Sequence, residues 1–540
     1  MFRDQSSNVI RKAKAAEAKK STSPPRQSPR TTPESRSISE PTEELELVSQ
    51  RWDPIFSIAP TVDERATCYF VFHYLVGIQA PSRGVLDNLL LLYQTGSIDE
   101  NLLTAVKAIS YASYAHHMQS PELKDVSRYQ YTKSVKMTNK ALQSNFDAAK
   151  DSTLMSVMIL GMYEIITGRT QRSLEAWMEH VRGSAALIRM RGEEQLKTPQ
   201  GRRLFIQASI GILSSCVQLN VAVPRQVEEL IRKIPQYLDT DDEFVHISFG
   251  IHLTLIEINQ YRAAVVKGKL ADPHEILAKA LELDAKLEHF LVNPPRELQY
   301  HTFEATSSND VAWRGKYHVY FDILAANLWN SVRVFRILLH ERIRDTLLPG
   351  LTSNPPIFTK SEHTLQLQRS MDTCYELQAA ILYSVPQHLG YVSNTSIRDL
   401  SSPAIWTEGV LDRSTKGSFG CAASTELGRL GLSSAAIECS PPSDITGFSP
   451  QETSLASRFD LVQVPDVRAS GGYNLMWPLW LAGSMDLVTE EVQRYVIKCM
   501  DRIGSEMGIR QAHMLAKVIE EKTDMEAWRD KKKFEVVEEG

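Results

Sequence analysis

Cysteine is scarce in these 540 residues, and its placement excludes several chemistries at once. The six thiols, Cys68, Cys216, Cys374, Cys421, Cys439 and Cys499, stand so far apart that no pair has the C-x2-C spacing of a zinc or redox site. Four of them fall in apolar helical text, which predicts small buried side chains in a reducing compartment. No apolar run of about 18 residues occurs, and no apolar segment follows the charges at the N-terminus, so neither membrane insertion nor secretion is expected. The formal charge of −5 supplies no global pull toward nucleic acid, and any such contact would have to be local.

The motifs of common enzymes are missing too. No G-x-S-x-G elbow is spelled near Gly417 to Cys421, and neither G-x-x-x-x-G-K-[ST] nor G-x-G-x-x-G occurs. His340-Glu341 begins like a zinc-protease helix, but Arg344 stands where the second histidine should be. His116, His117 and His180 are expected as surface or packed histidines. No catalytic residue, metal ligand or cofactor is therefore expected, and the DNA-contacting residues stay unknown.

What the chain does have is helical periodicity. Its organising stretch runs from Asp151 to Gly192. Leu154, Val157, Met158, Gly161, Met162, Ile165 and Ile166 recur at helical spacing after an Asp-Ser-Thr start that can supply an N-cap. Beyond the Gly168-Arg169-Thr170-Gln171 turn, Leu174, Trp177, Met178, Val181, Ala185 and Ile188 repeat that spacing up to Arg191-Gly192, a basic last turn and a C-cap glycine. So short a connection predicts antiparallel packing.

The pattern D-x-x-L…YE…W-x-x-H-x-x-G-x-x-x-L-I-x-x-R-G is carried by Asp151, Leu154, Tyr163, Glu164, Trp177, His180, Gly183, Leu187, Ile188, Arg191 and Gly192. It resembles the regulatory region of fungal zinc-binuclear-cluster (Zn2Cys6) transcription factors. A second resemblance to the same family lies in Gly471-Gly472-Tyr473-Asn474-Leu475-Met476-Trp477-Pro478-Leu479, followed by Ile503-Gly504 and Met507-Gly508-Ile509-Arg510-Gln511-Ala512. The likeness extends from about Arg51 to Lys517 and is dense in these two patches. Phe2-Arg3-Asp4-Gln5-Ser6 is similar to words that follow the family's last zinc-ligand cysteine. The family reads DNA with six thiolates on two zinc ions, and none of those ligands can be placed in this chain. Either the sequence starts at an internal methionine or it is a paralogue without its reader.

The chain in order predicts an all-α protein, an irregular multi-helix array. Residues 1–60 form a basic, Ser/Pro-rich tail and linker expected to be disordered, with Trp52 and Phe56 as anchors. In it, Arg11, Lys12, Lys14, Lys19 and Lys20 make a candidate nuclear-import segment or a nonspecific phosphate contact. Ser23-Pro24, Ser28-Pro29 and Thr32-Pro33 would suit proline-directed kinases. Residues 61–392 read as the helical regulatory domain, with helices over 62–77, 86–93, 98–115, 129–142, 201–219, 224–234, 246–266, 277–290, 316–347 and 364–385. In 316–347, Arg333, Arg336, Arg342 and Arg344 are expected on a solvated face rather than in a nucleic-acid groove. Residues 393–458 read as a flexible insert. Residues 459–540 complete the domain with a Gly471-Gly472 turn and helices over 489–507 and 510–524.

The resemblance implies a transcriptional regulator, resident in the nucleus, whose body senses a state or partner. Its partners would be transcription machinery or co-regulators, with DNA reached through a module not in this chain and no membrane. A metabolic or secondary-metabolite pathway is the kind such regulators govern. Homodimerisation stays open, since Met1 to Lys20 has too few apolar positions for heptads. Two other readings stand beside it. One is a helical interaction scaffold without a role in transcription. The other is a small-molecule-binding or enzymatic helical domain, with Tyr163, Trp177, Trp329 and Trp477 as pocket-lining or, alternatively, core-filling aromatics.

Overall fold

The computed structural model describes residues 60–75, 86–238, 243–305, 310–392 and 468–521. The basic tail, its anchors Trp52 and Phe56, the kinase dipeptides and the insert over 393–458 lie outside them. The described residues are mostly helical. The first half comprises α1 (Val62–Tyr74), α2 (Asp87–Gln94), α3 (Glu100–His117), α4 (Pro121–Ala141), α5 (Asp151–Thr167), α6 (Gln171–Arg191), α7 (Pro199–Leu219) and α8 (Arg225–Lys233). After α9 (Glu243–Val266) and α10 (Pro273–Leu291) comes a hairpin of β1 (Tyr300–Glu304) and β2 (Lys316–Tyr320). Then follow α11 (Ile323–Thr352), α12 (Ser361–Tyr383), α13 (Arg468–Ser484), α14 (Glu490–Glu506) and α15 (Gln511–Glu520).

Capping chemistry sets many of the starts. Thr61 and Glu64 close a reciprocal capping box on α1. Asp99, Ser120, Thr198, Asp322 and Thr489 each accept a backbone N–H in the first turn of their helices. Ser120 followed by Pro121 starts α4 eight residues before the expected Tyr129, because proline at the first helical position needs no N–H partner. At α5 the cap differs from expectation. Asp151 is already helical, and the N-cap Lys150 makes no side-chain cap bond. The Asp151 carboxylate is instead ion-paired with Arg191 at the far end of α6, which also establishes that the two helices run antiparallel. Gly192 closes α6 at φ +57°, where a side chain would be strained.

Helix α5 buries thirteen of its seventeen residues, and a helix covered on nearly every side belongs at the centre of a domain. It packs against α3, α4, α6, α7 and α15. Leu154, Met155 and Ile159 are fully enclosed there. One apolar cluster joins these helices to α10 through α15, so the first and last helices share a core.

Two expectations are corrected. Lys316 to Tyr320 is not the start of the long helix but a strand, paired antiparallel with Tyr300 to Glu304. Its Tyr, His, Val and Tyr side chains suit a pleated ribbon, and the bond from the Tyr320 N–H to Gln387 Oε1 holds it. The Gly471-Gly472 pair is not a turn but lies within α13. A Cβ on Gly471 would stand 2.0 Å from the carbonyl oxygen of His388, and one on Gly472 would stand 2.4 Å from the sulfur of Met507. The glycines let α13 approach its neighbours, which a side chain would prevent.

Candidate functional site

The two sequence patches, separated by more than 270 residues, meet in space. The backbone N–H of Arg510 donates to the carbonyl of Ile166 at 3.0 Å, so the C-terminal patch completes the last turn of α5. Nearby, His116 Nε2 bonds the Ser505 carbonyl at 2.8 Å. Gly508, at φ +76°, lies flat on the His116 ring, where a Cβ would stand 2.7 Å from its carbon. A helical hairpin, the end of α3 and the link between α14 and α15 thus make one junction.

The same helical hairpin carries a half-buried polar cluster. Tyr131 on α4 donates to the Glu164 carboxylate, and its oxygen is 3.3 Å from His180 Nε2. Tyr131 also stacks on Tyr163 at 4.3 Å. Burial pushes the Glu164 carboxyl up, against the bond from Tyr131. Burial also holds His180 down at about 4, so the ring is neutral at physiological pH and can accept from or donate to the tyrosine as its tautomer dictates. Gly161 makes room for the histidine, since a Cβ would be 3.2 Å from that of His180. Glu164 and His180 of the pattern, with Gly161 beside them, therefore serve one packed contact between α4, α5 and α6.

The arginines of α11 correct a third expectation. Arg333 is 2% exposed, and the side chains of Arg336 and Arg344 are 13% and 12% exposed. Arg336 donates through Nε and Nη2 to the two oxygens of Asp284 at 2.7 and 3.0 Å, while His340 Nε2 lies 3.2 Å from the same carboxylate. Burial alone would raise Asp284, but the bonds from His340 and Arg336 outweigh it and hold the carboxyl at about 2. Arg344 bridges Asp345 and Asp486, tying α11 to the segment after α13. Arg336 lies inward because Asp284, 52 residues away in the chain, meets it there.

His340 Nδ1 is 3.1 Å from Ser370 Oγ, so Ser370, His340 and Asp284 line up as nucleophile, base and orienting acid do in hydrolases. Their exposures are 0%, 4% and 7%, and Gln366 donates to the same serine oxygen. A substrate would have to part α11 from α12 to reach Ser370. The alignment is a buried clamp between α10, α11 and α12, and the Arg336 pair on Asp284 fits that role.

Arg333 sits differently. Its guanidinium donates to the Tyr320 hydroxyl at 2.5 Å and to Asn330 Oδ1 at 3.0 Å, with His318 Nδ1 at 3.5 Å. The rings of Tyr300, Tyr320 and Trp329 surround it at 5.4, 5.5 and 5.3 Å. The floor of this box is held by Asn330 bonding Ser384, and by Gln387, which both accepts from the Tyr320 N–H at 2.7 Å and donates to its carbonyl at 3.1 Å. Sequence reasoning missed the box. Its signal was the row Ala326, Asn330, Arg333, Ile337 and His340, one helical face that is buried throughout yet carries three polar side chains.

Of the other singled-out residues, His117 is exposed and His116 half-buried. Tyr163 and Trp177 are buried in the core, Trp477 stacks on Trp480 at 4.7 Å, and Trp329 is the half-buried wall of the Arg333 box. Cys216, Cys374 and Cys499 are buried thiols. Arg11, Lys12, Lys14, Lys19 and Lys20 lie outside the described residues. Among the described residues no group of three or more metal-ligating side chains converges, and no helix is long and apolar enough to cross a membrane.

Residues 70–219 match the model of the fungal specific transcription factor domain family, a stretch that begins in the last turns of α1 and runs through α7. No match to the zinc-binuclear-cluster family is found in the chain. No curated protein and no solved structure matches it.

Proposed function

Given that residues 70–219 carry a fungal specific transcription factor domain, we infer that the chain is the control body of a gene regulator. The observation that carries the reading is the position of that domain. Its central helix α5 is enclosed on nearly every side, and the C-terminal patch closes the end of α5 through Arg510. The body works in the nucleus on transcription machinery or co-regulators, and governs a metabolic or secondary-metabolite pathway. No six-cysteine reader is spelled in these 540 residues, so DNA is reached through a module outside them.

The test is to join the full chain to a heterologous DNA-binding domain and measure a reporter bearing its site. Activation or repression of at least about tenfold, lost when Arg510 is replaced by proline so that its N–H can no longer reach Ile166, supports the reading. Reporter output equal to that of the DNA-binding domain alone, with the fusion folded and nuclear, overturns it.

A further inference from the structure

Every other strongly buried arginine of α11 has a carboxylate; Arg333 has none. Arg336 meets Asp284 and Arg344 meets Asp345 and Asp486, whereas among the described residues no ion pair includes Arg333. Its hydrogen-bond partners are a phenol, an amide and an imidazole, and its walls are three rings. Neutral acceptors and ring faces offset part of the cost of taking a guanidinium out of water, but they leave its full charge uncancelled. The neighbouring histidines cannot cancel it either, since an imidazole is neutral or positive. The box is thus a fixed positive site in a low-polarity surround, where a single anion is favoured far more than in water.

The wall toward solvent is thin. Tyr300 and Trp329 are half-buried, whereas Tyr320, His318 and Asn330 behind them are 0%, 4% and 0% exposed. Tyr300 stands on a hairpin of only two strands, an element with little stability of its own and ready local opening. Its ring makes contacts with the His318, Tyr320 and Trp329 rings at 4.5 to 5.0 Å, and its displacement uncovers the guanidinium between planar faces.

The geometry points to a binding site for a small aryl carboxylate: its carboxylate pairs with Arg333, and its ring replaces that of Tyr300 against Trp329 and Tyr320. A ring is required to fill a ring-shaped space, and a carboxylate matches the two-pronged donor edge of a guanidinium. This site is independent of the regulatory reading, because binding is measured on the isolated chain and regulation in cells.

Benzoate and benzamide are the probes, equal in ring and nearly in size but differing in charge. The purified full chain is titrated with each at constant ionic strength, following tryptophan emission and thermal unfolding. A charge pair at about 4 Å in a medium of effective permittivity near 20 corresponds to roughly a thousandfold in affinity, from which carboxylate desolvation subtracts. Benzoate should therefore bind at least about 30-fold tighter than benzamide. Arg333→Met should abolish that preference, Tyr300→Ala should keep it, and Trp329→Phe should remove the emission change while leaving the thermal shift. Should Arg333→Met fail to fold, the benzoate and benzamide contrast in the natural chain and in Tyr300→Ala decides alone. Equal binding of the two probes, benzoate binding retained in Arg333→Met, or no saturable response up to about 10 mM overturns the site.

Discussion

Replacing Asp284 with asparagine keeps the shape of the side chain and removes the charge that Arg336 and His340 share. The folded-state carboxyl stands at about 2 against an ordinary 3.8, a drop of nearly two units, which corresponds to about 2.4 kcal/mol of stability at neutral pH. The group is only 10% exposed, so solvent screening takes little from that figure. The substitution also leaves Arg336 with Glu288 as its one acid, a partner that is 56% exposed and contributes weakly. Breaking one side of a buried pair costs about 3–5 kcal/mol in comparable sites. We expect Asp284→Asn to lose about 2–4 kcal/mol in urea unfolding at pH 7. Arg336→Met alone should lose a similar amount, and the double variant should lose clearly less than the two together, a coupling of about 2 kcal/mol. Because a depressed carboxyl stabilises above its unfolded pKa, the gap between Asp284→Asn and the natural chain should stay constant from pH 7 down to about 4 and narrow only below that. Additive losses within about 0.5 kcal/mol would refute the reasoning, since they would mean that Asp284 and Arg336 do not act as one unit.

Acid should loosen the fold through its buried histidines, with the raised carboxyl of Glu341, held at about 7 by burial, offsetting part of the effect. Burial holds His180, His252 and His388 at about 4, and burial with the Arg333 charge holds His318 at about 3. A depressed histidine favours the unfolded chain once pH falls below its unfolded value of about 6.5, so thermal unfolding temperature should drop steeply from pH 6.5 to 4 and stay level above 7; a flat profile to pH 4 would contradict this. Burial pushes the thiols of Cys216, Cys374 and Cys499 up to about 12, so iodoacetamide at pH 8 should leave all three unlabelled in peptide mapping until denaturant is added. Gly471→Ala should cost at least about 2 kcal/mol, because its Cβ meets a backbone carbonyl that cannot rotate away, while Gly211→Ala, with open space around it, should be neutral or stabilising in the same unfolding assay.

The helices were legible wherever apolar spacing was sustained, as along α5–α6, although neither helix has a side-chain N-cap bond. What escaped was pairing between distant parts of the chain. Asp151 looked like a cap because sequence spacing could not reveal Arg191 opposite it, 40 residues on. Arg336 and Arg344 looked solvated because their acids lie 52 and 142 residues away, and a single sequence assigns no partner at such a distance. Gly471-Gly472 was read as a turn because glycine's local preference is for turns, whereas here it permits a close helix crossing. The Lys316 strand was absorbed into α11 because five residues are too few for their period to be told from a helix.

The central claim is that this helical body governs transcription. Induced degradation of the full chain in its native cell, followed within minutes by nascent-transcript sequencing, tests it most directly. The account predicts a prompt change at a small, coherent set of genes before any change in steady-state protein. Unaltered nascent transcription after complete loss of the chain would contradict it.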